Sequence, residues 1–339
     1  MQLRRSAVFA AVIGLLAAAG IAGPAHAEEG DVAWTVRTAA NSYGSDRSSY
    51  SYAVNPGGQV KDAMVVANRG KNTLNLAVYA GDGFTTSTGQ LDLLTKDKKS
   101  VGIGAWLHAG APTVAIQPGQ SAEIPFTLDI PANATPGDYA GGVVTALTQP
   151  DAGQGINVER RLGIQVKLRV GGDLHPALVV ENLGVDVDGG DATVTYTIHN
   201  TGNAILSAEQ RVSLAGPFGM LRTDAGAVKA PPQLLPGETW KVSVPVHGVP
   251  KAFRVTATAT LTPRLTDASG STTSLAAVTA EAGAWAVPWG WLIGVLVAVA
   301  ALVAAFFLVR RLRARGKARQ DERVRKAVEE AIQAGGVTA

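Results

Sequence analysis

Apolar and polar residues alternate in short runs along most of this chain. Ala122, Ile124, Phe126 and Leu128 fall on one side of a period-two run, and Trp240, Val242, Val244 and Val246 do the same. Successive strand side chains point to opposite faces, so each run predicts a strand with one buried and one wet face. Gly, Pro, Asn and Asp separate the runs and predict turns. Pro125 and Pro245 lack a ladder donor, which predicts edge positions for their strands.

The runs recur as a divergent internal repeat. Gly57-Gly58 precedes Asn68-Arg69-Gly70 and then Leu74; Gly189-Gly190 precedes Asn200-Thr201-Gly202 and then Leu206, at the same spacings. Met64 and Val66, or Tyr196 and Ile198, share a face before each Asn. Asn-x-Gly tolerates positive φ, so each copy predicts strand, turn, strand. Pro118-Gly119-Gln120 and Pro236-Gly237-Glu238 lead into the two alternating runs. Pro136-Gly137-Asp138-Tyr139, before Val143 and Leu147, has its counterpart in Pro250-Lys251-Ala252-Phe253, before Val255 and Leu261. Tyr139 predicts a tyrosine corner, its hydroxyl bonding backbone upstream; Phe253 has no hydroxyl to do so. The fold class is therefore mainly β: two tandem immunoglobulin-like β-sandwich domains followed by one transmembrane α-helix.

That helix is read from Trp291 to Val309, 19 residues without a charge, followed by Arg310, Arg311, Arg313, Arg315, Lys317 and Arg319. It rises about 28 Å, against a bilayer core of about 30 Å. Basic flanks stay in the cytoplasm, which predicts a single-pass cell-membrane protein with its N-terminus outside and its tail cytoplasmic. Trp285, Trp289 and Trp291 fit an interfacial belt. At the other end, Arg4 and Arg5, the apolar stretch Ala7 to Ile21 and Ala25-His26-Ala27 read as a cleaved signal peptide. The expected organisation is 1–27 signal peptide, 28–171 first sandwich, 172–283 second sandwich, 284–309 transmembrane helix and 310–339 basic cytoplasmic tail. Gly171-Gly172 marks the boundary between sandwiches. Ser269 to Ala286 reads as a short stalk, and the tail after Arg319 as a short amphipathic helix.

Charge and cysteine usage narrow the function. The net charge of +3 comes from the two ends, +5 in the tail and +2 at Arg4 and Arg5, leaving −4 outside. Nucleic-acid binding has no support in that balance. With Cys 0, thiol catalysis and Cys-ligated metals are excluded. His108, His175, His199 and His247 lack metal spacing, and no nucleophile elbow or phosphate loop occurs. Asp186, Asp188 and Asp191 look faintly like a calcium loop but lack the downstream Glu and sit where a strand turn is expected. No catalytic, cofactor or metal residue is nominated, and no cofactor is expected.

Two segments stand out as binding candidates. Residues 84–113 lengthen the first copy relative to the second, and insertions on a rigid sandwich often carry binding; a solvated excursion with one buried Trp106 is the plainer alternative. Asn41 to Tyr52 sets Tyr43, Tyr50 and Tyr52 among Ser and Asn, which suits a sugar polymer. The alternation of Tyr50 and Tyr52 favours a structural role.

The first sandwich resembles the WxL-interacting proteins of Gram-positive bacteria. The residues carrying this are Tyr52-Ala53-Val54-Asn55-Pro56-Gly57-Gly58, Val65-Val66-Ala67-Asn68, Gly89-Gln90-Leu91-Asp92 and Ile116-Gln117-Pro118-Gly119. Asp138-Tyr139-Ala140-Gly141-Gly142-Val143-Val144 and Arg161-Leu162-Gly163-Ile164-Gln165-Val166 continue it, over about Val32 to Gly171. The resemblance implies a first domain that binds peptidoglycan and a second that engages a partner protein or host ligand. The resulting expectation is a membrane-anchored, non-enzymatic surface protein binding cell-wall peptidoglycan, a surface partner, or both. The alternative is a protein-interaction or adhesion module without wall binding, working by strand addition at a sheet edge.

Overall fold

A computed structural model describes residues 33–150, 157–249, 253–267, 270–286 and 289–335. The expected signal peptide, 1–27, lies outside the described residues, as do Pro250, Lys251 and Ala252 of the third repeated block and Ser269 of the expected stalk. The chain is mainly β with one long C-terminal helix.

The strands before Gly171 are β1 (Trp34–Thr38), β2 (Tyr50–Val54), β3 (Gln59–Asn68), β4 (Leu74–Thr85), β5 (Leu91–Leu93), β6 (Leu107–Ala109), β7 (Thr113–Ile116), β8 (Ser121–Asp129), β9 (Gly137–Pro150) and β10 (Asn157–Val170). They form one sheet in the order β1-β3-β8-β6 and another in the order β2-β10-β9-β4-β5, with β7 on β4. After the glycine pair come β11 (Leu178–Asp188), β12 (Asp191–Asn200), β13 (Leu206–Ala215), β14 (Thr223–Asp224), β15 (Thr239–His247), β16 (Arg254–Thr266), β17 (Thr272–Ser274) and β18 (Val278–Trp285). These form β11-β12-β15 and β14-β13-β16-β17, with β18 on β16.

Each pair of sheets encloses its own core. In the first, Met64, Val66, Ile124 and Phe126 meet Tyr50, Leu76, Val143 and Val166. Trp34 is buried among them, and its Nε1 donates to Thr145 Oγ1 at 2.9 Å across the sheets. In the second, Val194, Tyr196, Ile198 and Val244 meet Leu214, Val255, Ala257 and Leu261. The alternating runs thus place their apolar faces inward, where burial stabilises each aliphatic side chain by roughly 1.5–3 kcal/mol.

The repeat survives in register but not in the expected backbone geometry. Gly70 and Gly202 do not take positive φ; Gly57, Gly119, Gly189 and Gly237 do, at 80°, 73°, 62° and 79°. Gly70 and Gly202 are needed for close approach instead. A Cβ at Gly70 would meet Ala33 Cβ at 2.6 Å, and one at Gly202 would meet Ala177 N at 2.5 Å. The chain entering the first strand of each pair passes directly over this glycine. The Pro-Gly turns at Gly119 and Gly237 have the positive φ that a type II turn requires at its third residue. Strand β15 is an edge, as Pro245 predicts. Strand β8 has β6 as a second neighbour along Phe126 to Leu128, and Pro125 lies just past that ladder.

Three expectations change. Residues 269–286 are not a stalk, because β17 and β18 pair with β16, and β18 runs past residue 283 to Trp285. Its inward positions are Val278, Ala280, Ala282 and Ala284, all half-buried, and alanine makes a weak apolar signal in sequence. Residues 84–113 are not one loop: they hold β5, β6 and a four-residue helical turn, Ile103–Trp106. The tail is not a separate helix. One helix runs from Trp289 to Gly335, 47 residues. No proline interrupts it, and Ala, Arg, Lys and Glu sustain helix beyond the apolar part. Among the described residues it is the helix long and apolar enough to cross a membrane, with mean hydropathy 3.0 in its most apolar stretch.

Candidate functional site

The two sheet pairs meet at a junction built from short polar segments. Gly171 and Gly172 leave β10 with no room for side chains: a Cβ on Gly171 would strike Asn55 Oδ1, and one on Gly172 would lie 2.6 Å from Pro136 Cβ. Arg169 and Asp138 are register partners on β10 and β9. Arg169 Nε donates to Asp138 Oδ1 at 2.6 Å and Nη2 to Oδ2 at 2.8 Å. This hydrogen bonding holds the guanidinium above its ordinary pKa, against the opposing pull of burial. Asp138 Oδ2 also accepts from the Ile205 backbone N–H at 2.9 Å, which ties the pair to the second half.

Two further side chains cross the junction. Asn203 Nδ2 donates to the carbonyls of Pro136 and Asp173, both at 2.9 Å, and its Oδ1 accepts from His175 N at 2.6 Å. Glu238 accepts from the Thr85 backbone N–H at 2.7 Å and from Thr85 Oγ1 at 2.6 Å. Glu238 occupies the repeat position that Gln120 holds in the first copy, so the copies diverge where one faces the other.

Cavities flank these contacts. One of about 220 Å³ is lined by Ser51, Asp138, Lys167, Arg169, Gln233 and Thr266. A second of about 330 Å³ lies against Asp82, Gly102, Tyr139, Asn203 and Pro236. A third of about 190 Å³ is bounded by Thr85, Leu91, Gln165, Lys167 and Gln233. Lys167 borders the first and third. It is half-buried, and among the described residues its side chain has no hydrogen-bond or ion-pair partner. An ammonium with three donors and a wet cleft before it suits an anionic or carbonyl-rich ligand.

Tyr139 borders the second cavity, and Trp106, half-buried rather than buried, packs against it with ring centroids 4.8 Å apart. The Tyr139 hydroxyl donates to Thr135 O at 2.9 Å, the expected corner. Burial raises its pKa, outweighing the effect of that bond. Trp106 is held there by the insertion, which Asp82 anchors: its carboxylate accepts backbone N–H groups of Val101, Gly102 and Gly104 at 2.6, 2.9 and 2.7 Å.

The tyrosine-rich segment is mostly core. Tyr50 and Tyr52 are buried, and Tyr43 is exposed. Tyr52 Oη donates to Asp62 Oδ2 at 2.6 Å, and Tyr50 Oη to Ala63 O at 2.8 Å. Arg47 Nη1 and Nη2 donate to the two Asp62 oxygens at 2.7 and 3.0 Å, and Asn41 Nδ2 adds a bond of 2.6 Å. Burial pushes the Tyr50 and Tyr52 hydroxyls well above the ordinary phenol range. Burial would also raise Asp62, but the hydrogen bonds from Arg47, Tyr52, Ala63 and Asn41 hold it below its ordinary value.

The remaining sequence candidates do not converge. His199 Nδ1 lies 3.0 Å from Glu181 and His247 Nδ1 3.0 Å from Asp191, while His108 and His175 are exposed. Asp188 and Asp191 flank a β11–β12 hairpin turn, and Asp186 pairs with Thr193 in the ladder. Among the described residues no three His, Cys, Asp or Glu side chains group closely enough to hold a metal. Lys167, Asp138, Arg169 and Glu238 were missed in sequence because each is an ordinary polar residue in a strand or turn. The Gln120 to Glu238 difference was the one visible signal.

No protein-family model matches this sequence, and no curated protein matches it. Solved structures with a similar strand arrangement include the class 5 fimbriae chaperone CfaA, at 12% identity over 75% of this chain and 100% of that one, with TM-score 0.36. The CupB2 chaperone of Pseudomonas aeruginosa follows at 10% identity over 70% of this chain and 97% of that one, with TM-score 0.30. The E. coli chaperone DraB is 9% identical over 73% of this chain and 98% of that one, with TM-score 0.32.

Proposed function

We propose that this chain is a membrane-anchored, non-enzymatic cell-surface protein of two tandem immunoglobulin-like domains, holding a polar wall polymer in the cleft at their junction. Lys167 is the observation that carries this reading: a half-buried cation without a protein partner among the described residues, bordering two cavities. Ser51, Gln165 and Gln233 offer neutral hydrogen-bonding groups around it. Peptidoglycan supplies matching chemistry, with carboxylates and amides on its stem peptides and hydroxyls on its sugars. The resemblance of residues 32–171 to WxL-interacting proteins supports the same ligand. The apolar helix with its basic flank supports the anchor, with the N-terminal part outside and the tail in the cytoplasm.

The test is co-sedimentation of the detergent-solubilised full chain with insoluble peptidoglycan. Retention that falls about tenfold or more in Lys167→Glu is expected, since reversing a buried-rim charge costs at least about 1.4 kcal/mol of binding. Wild-type protein left in the supernatant would sink the wall reading.

A second reading, strand addition by a partner protein, is favoured by β1. Among the described residues Trp34–Thr38 has β3 on one side only, and no proline lies within it. Photo-crosslinks from β1 to protein, in cells where wall material is not recovered, would favour it.

A further inference from the structure

Strands β13, β16 and β18 bring an exposed apolar loop to the end of the sheet from which the C-terminal helix departs. Ala215, the last residue of β13, pairs with Thr256, and Arg254 pairs with Trp285, the last residue of β18. The loop after Ala215 therefore emerges beside the exit of β18. It carries Phe218, Met220 and Leu221, which are 98%, 59% and 66% exposed. Phe253 and Trp285 are exposed at the same end, and Ala286 N donates to Phe253 O at 3.0 Å.

The loop is built to present these side chains. Gly216 N donates to Met220 O at 2.8 Å and Gly219 N to Gly216 O at 3.2 Å, closing the turn on itself. Phe218 and Leu221 sit at φ 60° and 56°, a region that non-glycine residues seldom occupy. Large apolar residues in a strained turn, contributing nothing to either core, point to a contact outside the chain.

The tether length identifies that contact. Residues 286–288 alone separate Trp285 from the helix that starts at Trp289. Four Cα steps reach at most about 15 Å. If the helix enters a bilayer, the end of β18 must sit at the bilayer surface, and the loop beside it with it. Arg254 stands at this end, 6.0 Å from the Trp285 ring, as does Arg222, which is ion-paired to the exposed Asp224 at 3.4 Å. Aromatic and basic side chains together suit the headgroup layer. Asp188 and Asp191 lie on the other sheet's hairpin, which restricts the contact to the side of the loop.

We propose that residues 216–222, with Phe253 and Trp285, dock into the outer leaflet of the same bilayer that the C-terminal helix crosses. The loop would be a second membrane contact that fixes the tilt of the extracellular part. This rests on the membrane reading of the helix. The absence of Cys makes the test clean. The full-length protein, reconstituted in phosphatidylglycerol-containing vesicles, is labelled with an environment-sensitive fluorophore at Phe218→Cys, Lys71→Cys or Leu296→Cys, one site at a time. Lipids carrying a shallow spin-label quencher are then introduced. Blue-shifted emission and loss of most intensity are expected at 218 and 296, with neither at 71. Quenching at 296 but not at 218 would overturn the docking and leave the anchor standing. No quenching at 296 would overturn both. A blue-shifted label at 218 that lipid quenchers do not reach would assign the loop to a protein partner and also overturn the proposal.

Discussion

Asn68 and Asn200 make the same set of hydrogen bonds in the two halves of the chain. Asn68 Nδ2 donates to the carbonyls of Asn72 and Ile116, both at 2.8 Å. Asn200 Nδ2 donates to those of Ala204 at 2.8 Å and Leu234 at 2.9 Å. Each Oδ1 accepts from the glycine two residues on, at 2.9 and 3.1 Å. Both side chains are buried. The carboxamide adds a second set of bonds to turn groups, of which the glycine N–H and Leu234 O also have backbone partners.

Replacing either Asn by Ala removes the side-chain donor to two turn carbonyls, while the glycine N–H keeps Ala33 O or Ala177 O and Leu234 O keeps Leu206 N, so the cost is about 1–2 kcal/mol. Asp is isosteric yet should cost more than Ala, because a carboxylate oxygen would face two carbonyl oxygens and carry a buried charge. Urea unfolding of N68A, N68D, N200A and N200D should show that order in both halves. A loss below about 0.5 kcal/mol in either Ala variant would mean water replaces the amide without cost.

Asp62 and Arg47 form the buried ion pair of the first core, at 2.7 Å. Arg47→Met removes the counter-ion of a buried carboxylate that Tyr52, Asn41 and Ala63 N still hydrogen-bond, so it is expected to destabilise by about 3 kcal/mol. The acid response follows in sign. The Asp62 carboxyl is held below its ordinary 3.8 in the folded chain, so its contribution is present above that pH and lost as pH falls through the lower folded value. Asp62→Asn should therefore flatten the acid limb of stability below about pH 4, measured by unfolding midpoint against pH.

The repeat, the strand faces and the tyrosine corner were legible in the chain because period-two burial and Pro-Gly turns leave direct marks. Met64, Val66, Tyr196 and Ile198 are all buried as their alternation requires. Strand β18 was not legible: Ala280, Ala282 and Ala284 alternate, but alanine and glycine lack the contrast that marks a strand. The junction was still less so. Asp138 becomes a junction residue only because β10 places Arg169 opposite it and the second half brings Ile205 N to its free oxygen. Such contacts join residues 31 and 67 positions apart, and no local pattern encodes them.

The two Pro-Gly turns allow a clean measurement of backbone cost. At Gly119 and Gly237 an added Cβ meets nothing within 4 Å, yet φ is 73° and 79°. Gly119→Ala and Gly237→Ala should each destabilise by about 1 kcal/mol from conformation alone. Asn, which tolerates this region better, should recover part of that loss in the same unfolding assay. Equal cost for Ala and Asn would point to a cause other than φ.

Asp138 couples the halves, so its removal should act on their orientation more than on either core. Asp138→Ala removes the carboxylate from Arg169 and leaves Ile205 N without its acceptor, while Asn203, Glu238 and the 3.4 Å bond from Arg169 Nη2 to Thr266 O still bridge the junction. Combined with Glu238→Ala, it should broaden the distance distribution measured between spin labels on the two halves. The cores should keep their far-ultraviolet circular dichroism. A single narrow distribution in the double variant would show that Asn203, the Arg169–Thr266 bond and the backbone contacts suffice without the two carboxylates.

Alkaline pH should weaken the second core through Tyr196. Its hydroxyl donates to Gln210 Oε1 at 2.6 Å, and burial pushes its pKa from 10.0 to about 12. The unfolded chain releases this proton near pH 10 and the folded chain holds it, so stability is full below pH 10 and falls as pH rises toward about 12. Tyr196→Phe removes this component but leaves Gln210 Oε1 without its donor, costing about 1 kcal/mol at neutral pH. Tyr50 and Tyr52 are raised in the first core and keep an alkaline slope of their own. The difference in stability between wild type and Y196F should therefore be largest near neutrality and shrink from pH 10 upward. A difference that stays constant to pH 12 would show that the Tyr196 proton leaves in both states alike.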